Sequence, residues 1–255
     1  MINIEFEDEC LVVVNKPANM LVHRSAIDRR ETVFLMQTLR DQLNCHVYPL
    51  HRLDKPTSGL VLFAKSSEIA SQLQPQFEQQ LIEKHYIAVV RGFVHEAKEI
   101  DYPLVEKLDK MTDNLDKQNL AKAAITNLLP LATLEIDKPV SRYPKARFSL
   151  VNLKPITGRK HQLRRHMAHI RHPIIGDTTH GDGKQNRFAR EELNFHRLAL
   201  HAYSMMFTHP VTLQKIAVMA KIDGELKALV KTFSELGINL TNNQDNSLLY
   251  STLIN

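Results

Sequence analysis

The chain is organised around His51-Arg52-Leu53-Asp54-Lys55-Pro56-Thr57-Ser58-Gly59, which runs directly into the apolar stretch 60–65, Leu-Val-Leu-Phe-Ala-Lys. Asp, Pro, Ser and Gly are turn-forming residues, and the apolar run after them has the length and composition of a strand, so the segment reads as a tight turn feeding a β-strand. A turn alone accounts for most of these residues, but it does not need an Arg two places before the Asp. In an extended segment those alternating positions put the guanidinium and the carboxylate on one side. A loop that leads into a rigid strand is also a common place for functional groups. Ser58 is a poor nucleophile candidate, because its surroundings are not G-x-S-x-G.

Outward from this stretch, similar apolar and β-branched runs occur at 11–15, 85–90, 131–136, 148–153, 200–207 and 215–222, and each predicts a strand. Helical patterns are fewer. Asp28 with Glu31 has the spacing of a capping box ahead of Val33, Met36, Leu39 and Leu43. Ser66 or Ser67 can cap a second helix carrying Ile69 and Leu73, which Pro75 should kink or end. A third helix follows Gly158, with Leu163, Met167 and Ile170 on one face. Strands outnumber helices and do not alternate with them regularly, so the expected class is α+β with a mixed, mostly antiparallel sheet. The polar stretch 106–123 predicts an excursion between strands. Residues 1–237 are expected to form one domain and 238–255, which change composition, a flexible carboxyl-terminal tail.

The 255 residues carry 33 Lys plus Arg against 28 Asp plus Glu, for a formal net charge of +5. The distribution is more informative than the total. Between 138 and 176 there are ten basic residues and no acidic one, which leaves 23 basic against 28 acidic groups elsewhere, a net −5. A mildly acidic body with one strongly basic segment predicts a phosphate-rich partner. Cys10 and Cys45 carry no C-x-x-C spacing, so a reducing compartment and no structural zinc are expected. No apolar run approaches a membrane span and the amino terminus does not read as a signal peptide, so a cytoplasmic protein without membrane attachment is expected.

The basic segment contains Pro155-Ile156-Thr157-Gly158-Arg159-Lys160-His161-Gln162-Leu163-Arg164-Arg165-His166, a glycine turn followed by the first turn of the third helix. Helix amino termini and adjacent Arg or Lys side chains favour phosphate. Four histidines fall within the segment, but no acidic or thiol ligand accompanies them, so no metal is expected there. Two smaller features are the strand end Asn15-Lys16-Pro17-Ala18-Asn19-Met20-Leu21-Val22-His23 and the strand Lys84-His85-Tyr86-Ile87-Ala88-Val89-Val90-Arg91-Gly92.

In this order, NKPAxxxVH, HRLDxxTSG, KxYxAxVxG and TGRxHQxRxH resemble the signatures of the RluA-type pseudouridine synthases, over residues 8–223. The YPL at 102–104, the long RKHQLRRH and the RHPIIGDTTHGD at 171–182 are most similar to the branch that modifies uridine 65 of tRNA, as is the lack of an S4-type domain ahead of the first motif. The resemblance implies an eight-stranded, mostly antiparallel sheet with a central RNA-binding cleft. It also implies isomerisation of a uridine in tRNA to pseudouridine, without cofactor, metal or obligate protein partner. The family motif often has Gly where this chain has Asn19, and Asn tolerates the left-handed backbone nearly as well.

By that resemblance Asp54 is the catalytic carboxylate and Arg164 the guanidinium that favours its ionised form and holds its rotamer. Tyr86 stacks on the uracil and assists loss of the C5 proton. Arg52 fills the stack vacated by a flipped nucleotide, and Leu163 walls the base pocket. Lys160, His161 and Arg165 belong to the phosphate-binding surface. Two alternatives use the same features: the same reaction on ribosomal RNA, and a non-catalytic RNA-binding module. The second gives no reason for a carboxylate among cations.

Overall fold

The computed structural model describes residues 1–24, 31–105, 120–222 and 224–239. The chain begins with β1 (Asn3–Glu7) and β2 (Leu11–Lys16), then α1 (Leu35–Leu43), β3 (Tyr48–Pro49), β4 (Ser58–Ala64) and α2 (Ser67–Glu78). Next come β5 (Glu83–Arg91), β6 (Lys98–Asp101), β7 (Leu104–Val105), β8 (Ala121–Lys122), β9 (Ile125–Ile136) and β10 (Ala146–Pro155). They are followed by α3 (Gln162–His169), α4 (Gly183–Leu193), β11 (Leu200–Thr208), β12 (Lys215–Met219), α5 (Gly224–Leu236) and β13 (Ile238–Asn239).

One sheet holds nearly all the strands. Its main path has eight, in the order β1-β2-β4-β11-β5-β10-β9-β13, and β12, β3 and β6 pair beside it with β11, β4 and β9. The resemblance implied eight strands, and the sheet has eleven among the described residues, with the expected strand β12 off the main path and the unexpected β1 and β13 at its ends. Every pairing is antiparallel except β11 with β4, which run parallel with His201 opposite Ser58 and Ala202 opposite Gly59. β7 pairs with β8 as a separate two-stranded ribbon, so the excursion expected at 106–123 leaves and returns through paired arms; residues 106–119 lie outside the described residues.

The central strands are buried on both faces, and their side chains feed two cores by strict alternation. Val12, Val14, Val61 and Phe63 point into the larger core, which α1, α3, α4 and α5 cover with residues such as Leu39, Met167, Phe188 and Phe233. Leu11, Val13, Leu60 and Leu62 point into the smaller one, closed by Leu73 of α2 and by Phe207 and Val218 of β11 and β12. This double burial is why β2 and β4 read as unbroken apolar runs.

Three local expectations are corrected, and of the two outcomes expected at Pro75 one is excluded. Val33 does not join α1, which starts at Leu35 with Phe34 as an uncapped N-cap. The N–H groups of Leu35 and Met36 donate to the carbonyls of Leu21 and Val22, at 2.9 Å each, so the chain supplies what a capping box would. Asp28 lies outside the described residues. Pro75 does not end α2, which continues to Glu78 and is closed by the Gln79 N–H donating to the Pro75 and Phe77 carbonyls. The strand expected over 215–222 stops at Met219. Ile238 and Asn239 pair with Thr133 and Ala132 at the sheet edge, so the sheet extends two residues past the expected domain end. Ser66 caps α2 as expected, its hydroxyl accepting from the Ile69 N–H. Among the described residues no helix is long and apolar enough to cross a membrane.

Gly59 shows why the turn at 51–59 ends as it does. Its φ is +111°, and a Cβ built there would lie 2.2 Å from the Ala202 carbonyl oxygen, because β11 passes directly over it. Only glycine fits both the dihedral and the space. Gly59→Ala is expected to cost about 3 kcal/mol or more of stability, since backbone must move. Urea denaturation would read this as a lowered midpoint, and an unchanged midpoint would refute the account.

Candidate active site

A cavity of about 320 Å³ opens where the turn before β4, the middle of β5, the end of β10 and the start of α3 meet. Its lining includes Arg52, Asp54, Tyr86, His161, Leu163 and Arg164. Six of the eight residues expected to act together therefore share one site, and its volume suits a single small ligand or an extruded nucleotide. Lys160 and Arg165, expected beside them, do not line it.

Its centre is an ion triad. Arg164, 4% exposed, donates through Nη1 to Asp54 Oδ2 at 3.1 Å, and through Nε and Nη2 to both oxygens of Asp177 at 2.8 Å each. Asp177 is itself held by the N–H groups of Thr179 and His180, at 2.9 Å each. Burial works against both charges. Even so, the hydrogen bonds from Arg164 and the backbone hold the Asp177 carboxyl below the usual range. Likewise Asp177 and then Asp54 raise Arg164 against the opposing effect of burial. The fork is thus saturated on one side and offers its remaining nitrogen to Asp54, whose side chain is 25% exposed.

Three further groups set the frame. Lys16 is fully buried, and its ammonium donates to the carbonyls of Pro17, Met20 and Lys55 at 2.8–3.1 Å, tying the first-motif turn to the loop beside Asp54. Burial lowers its pKa to about 7, with Asp54 pulling the other way. Asn19 in that turn adopts φ 63°, the left-handed backbone its side chain tolerates. Gln162 pins the Thr157–Gly158 turn: its Oε1 accepts from Thr157 Oγ1 and the Arg159 N–H, and its Nε2 donates to the Ile125 carbonyl and Thr126 Oγ1.

Tyr86 is buried, and burial together with the charge of Asp54 raises its pKa well above that of an ordinary phenol. At neutral pH it is an uncharged, stackable ring, so it could accept a proton only by passing on its own. His161 is the left-handed N-cap of α3. Its Nε2 lies 3.8 Å from Asp54 Oδ2 and its Nδ1 3.0 Å from His180 Nε2. Arg52 is exposed at the rim. Ser58 Oγ bonds to His201 Nδ1 and accepts from Arg197, which makes it part of the β4–β11 seam.

The histidines of the basic segment are dispersed. His166 sits between Thr126 and the Tyr102 carbonyl, His169 stacks on Tyr102, and His172 bonds to the Arg91 carbonyl. Elsewhere, Asp8, Cys10 and His209 bring potential ligand atoms within 4.8 Å of one another. Asp8 Oδ1 accepts from the N–H groups of Cys10 and Leu11, and His209 Nδ1 from those of Val211 and Thr212, which makes them turn caps.

Sequence reasoning missed Asp177, Lys16, Gln162 and His180. A signal for Asp177 existed, since it is the first acidic residue after the acid-free segment 138–176. Lys16 stood within the first motif, but no local pattern shows that its ammonium is buried on three carbonyls.

Comparison with known proteins shows the family. A family model described as RNA pseudouridylate synthase matches residues 10–169. The tRNA pseudouridine synthase C of Vibrio vulnificus (strain CMCP6) is 53% identical over 234 residues, covering 91% of this chain and 96% of the relative. That of Yersinia pestis is 52% identical over 239 residues, 93% of each. Among solved structures, human RNA Pseudouridylate Synthase Domain Containing 1 superposes with a TM-score of 0.71 at 23% identity, covering 99% of this chain and 94% of that one. Human RNA Pseudouridylate Synthase Domain Containing 4 gives 0.67 at 25%, covering 89% and 90%.

Two measurements check the site's physical description. Asp177→Asn removes one partner of a buried pair and should cost about 3 kcal/mol, read as a lowered melting temperature; an unchanged melt would show that the fork is dispensable. His51 accepts from the Leu62 N–H, and burial, then Lys84, lowers its pKa to about 3. The unfolded chain takes up that proton first, so His51 costs stability as pH falls from about 6.5 towards 3. His51→Gln should flatten that part of the stability profile, and an identical profile would contradict the assignment.

Proposed function

The chain belongs to the RNA pseudouridylate synthase family, and on that premise we propose that it converts a uridine of tRNA, at position 65, into pseudouridine. The observation that carries this reading is a carboxylate, Asp54, in a nucleotide-sized cavity and hydrogen-bonded to a buried guanidinium. A surface made only to hold phosphate has no use for that charge.

The reaction breaks the bond between C1′ and N1, turns the freed uracil in the site and joins C5 to C1′. The C5 proton is lost and N1 gains one, so atoms and electrons balance with no redox or group-transfer partner. C1′ becomes electron-poor as the bond to N1 lengthens, and Asp54 stabilises it as carboxylates do in glycosidases. Asp54 acts either by adding to C1′ or by taking a sugar proton to give a glycal-like intermediate, and both routes start from the carboxylate that Arg164 orients by its hydrogen bond. Asp177 is a positioning residue, because it acts through Arg164. Tyr86 supplies a flat neutral face for the uracil and assists loss of the C5 proton, which requires it to pass on its own. Leu163 closes the apolar side.

C1′ and C5 are inaccessible in a stacked helix, so the uridine must be flipped out, at a cost of a few kcal/mol. Arg52 fills the vacated stack, a reading supported by its exposure at the cavity rim. His161 carries a second duty beside phosphate binding, since it faces Asp54. Lys160 and Arg165 serve the phosphates outside the cavity.

Incubating tRNA with wild type and with Asp54→Asn tests the reading. The variant is expected to lose at least ~10³-fold in single-turnover rate with tRNA affinity nearly unchanged, as for loss of a group used in the transition state. Equal product from the two would sink it. In a deletion strain, pseudouridine should be missing from position 65 of tRNA; its absence from ribosomal RNA instead would move the substrate. If about four phosphates are neutralised, log affinity should fall with log salt at a slope of roughly −3 to −4, and a flat response would contradict RNA binding.

A further inference from the structure

The ten basic residues between 138 and 176 do not converge on the cavity. Arg159 and Arg164 line it, whereas Arg142, Lys145, Arg147 and Arg171 lie around a separate groove beyond the other end of β5 and α3. The groove consists of two adjoining depressions of about 940 and 460 Å³ that share Arg91, Val140, Tyr143 and Gln185. Arg91, Lys184 and Arg187 add to its charge, against Asp182, Glu191 and Glu192.

Resting on the function proposed above, we propose that this groove is a second RNA-binding site, which holds the sugar–phosphate backbone of the same substrate RNA away from the reacting uridine. Four observations support it. The lining carries seven Lys or Arg against three acidic residues, with ion pairs taking charge of both signs: Asp182 pairs with Arg91 at 2.8 Å and caps α4, Glu192 pairs with Lys138, and Lys145 and Arg147 both pair with Glu135 at 2.8 Å. Arg171 and Arg187 have no acidic partner among the described residues. Two aromatic rings at the groove carry guanidinium groups, Arg142 at 5.3 Å from the Tyr143 centroid and Arg147 at 5.2 Å from Phe93, and Tyr143 is 47% exposed. Cation-topped aromatic faces among phosphate-binding side chains are suited to a nucleic-acid strand and give an acidic protein surface little to stack on. Outside segment 138–176 the chain is net −5, so a polyanion finds few other places to land.

The spacing fits one RNA. Tyr86 lines the cavity and Arg91 the groove, five residues apart on β5, or about 17 Å at strand rise. The eight residues of α3 separate His161 at the cavity from the groove past its carboxyl end, about 12 Å at helical rise. Both are roughly half a turn of a nucleic-acid duplex or less. A trinucleotide centred on the target uridine, about 7 Å from end to end at duplex spacing, would fill the cavity and leave the groove empty.

The double variant Arg142→Glu/Arg187→Glu, both residues exposed and outside the catalytic set, tests this with intact tRNA and a trinucleotide centred on the target uridine. Intact tRNA should bind about tenfold or more weaker, with kcat unchanged, and the salt slope should shrink by about 2. Trinucleotide binding should stay as in wild type, and Tyr143→Ala should weaken tRNA binding in the same way. Wild-type tRNA affinity and salt slope in the double variant would overturn the proposal, as would an equal loss on the trinucleotide. Direct binding judges the groove by itself. Absence of pseudouridine from wild-type reactions would instead count against the catalytic reading.

Discussion

Arg164 is a permanent cation in the protein interior, and the site depends on how that charge is compensated. Burying a guanidinium costs several kcal/mol, recovered only by partners in good geometry. Asp177 supplies a two-point fork and is itself fixed by two backbone N–H groups, so the direction of the remaining nitrogen is set before any ligand arrives. Asp54 then meets a donor that cannot swing away. The loop carrying it is held from the other side by Lys16, a lysine committed wholly to backbone carbonyls. Groups that line the cavity are thus held by Asp177 and Lys16, which do not line it.

Much of this was legible in the sequence, for physical reasons that differ by element. β2 and β4 announced themselves because burial on both faces demands continuous apolar side chains, and α2 because Ser66 is a good cap. α1 misled because its amino end is satisfied by the carbonyls of Leu21 and Val22, contacts that no local pattern reveals. α4 and α5 went unremarked, as did the paths by which β3, β6 and β12 join the sheet. In the site, Asp54, Tyr86, Leu163 and Arg164 were found through motif resemblance. Asp177 and His180 were not, since their roles exist only once the turn after α3 folds back on it. Lys160, His161 and Arg165 were assigned together to a phosphate-binding surface, and of the three His161 alone lines the cavity, because it is the N-cap from which α3 starts.

The basic segment makes the same point about charge. As a linear run it looks like one surface, yet β10 carries it across the sheet. Arg147 falls near one end of that strand and Lys154 near the other, where it pairs with Glu83. The sheet thus distributes a compositional feature over separate places, and its net charge says less than the order in which strands carry it.

The parallel seam between β4 and β11 has a consequence for how the protein is made. Among the described residues, β11 alone joins the block β1-β2-β4 to the block β5-β10-β9 in the sheet, and its contact with Ser58 comes from a residue 143 positions later. Both blocks can pair internally while the chain is still on the ribosome, but they cannot be joined until residue 200 and beyond have emerged. Non-local closure of this kind is the slow part of folding. The loop bearing Asp54 therefore takes its final place late in biosynthesis, and a chain truncated before β11 lacks the strand that holds the halves together.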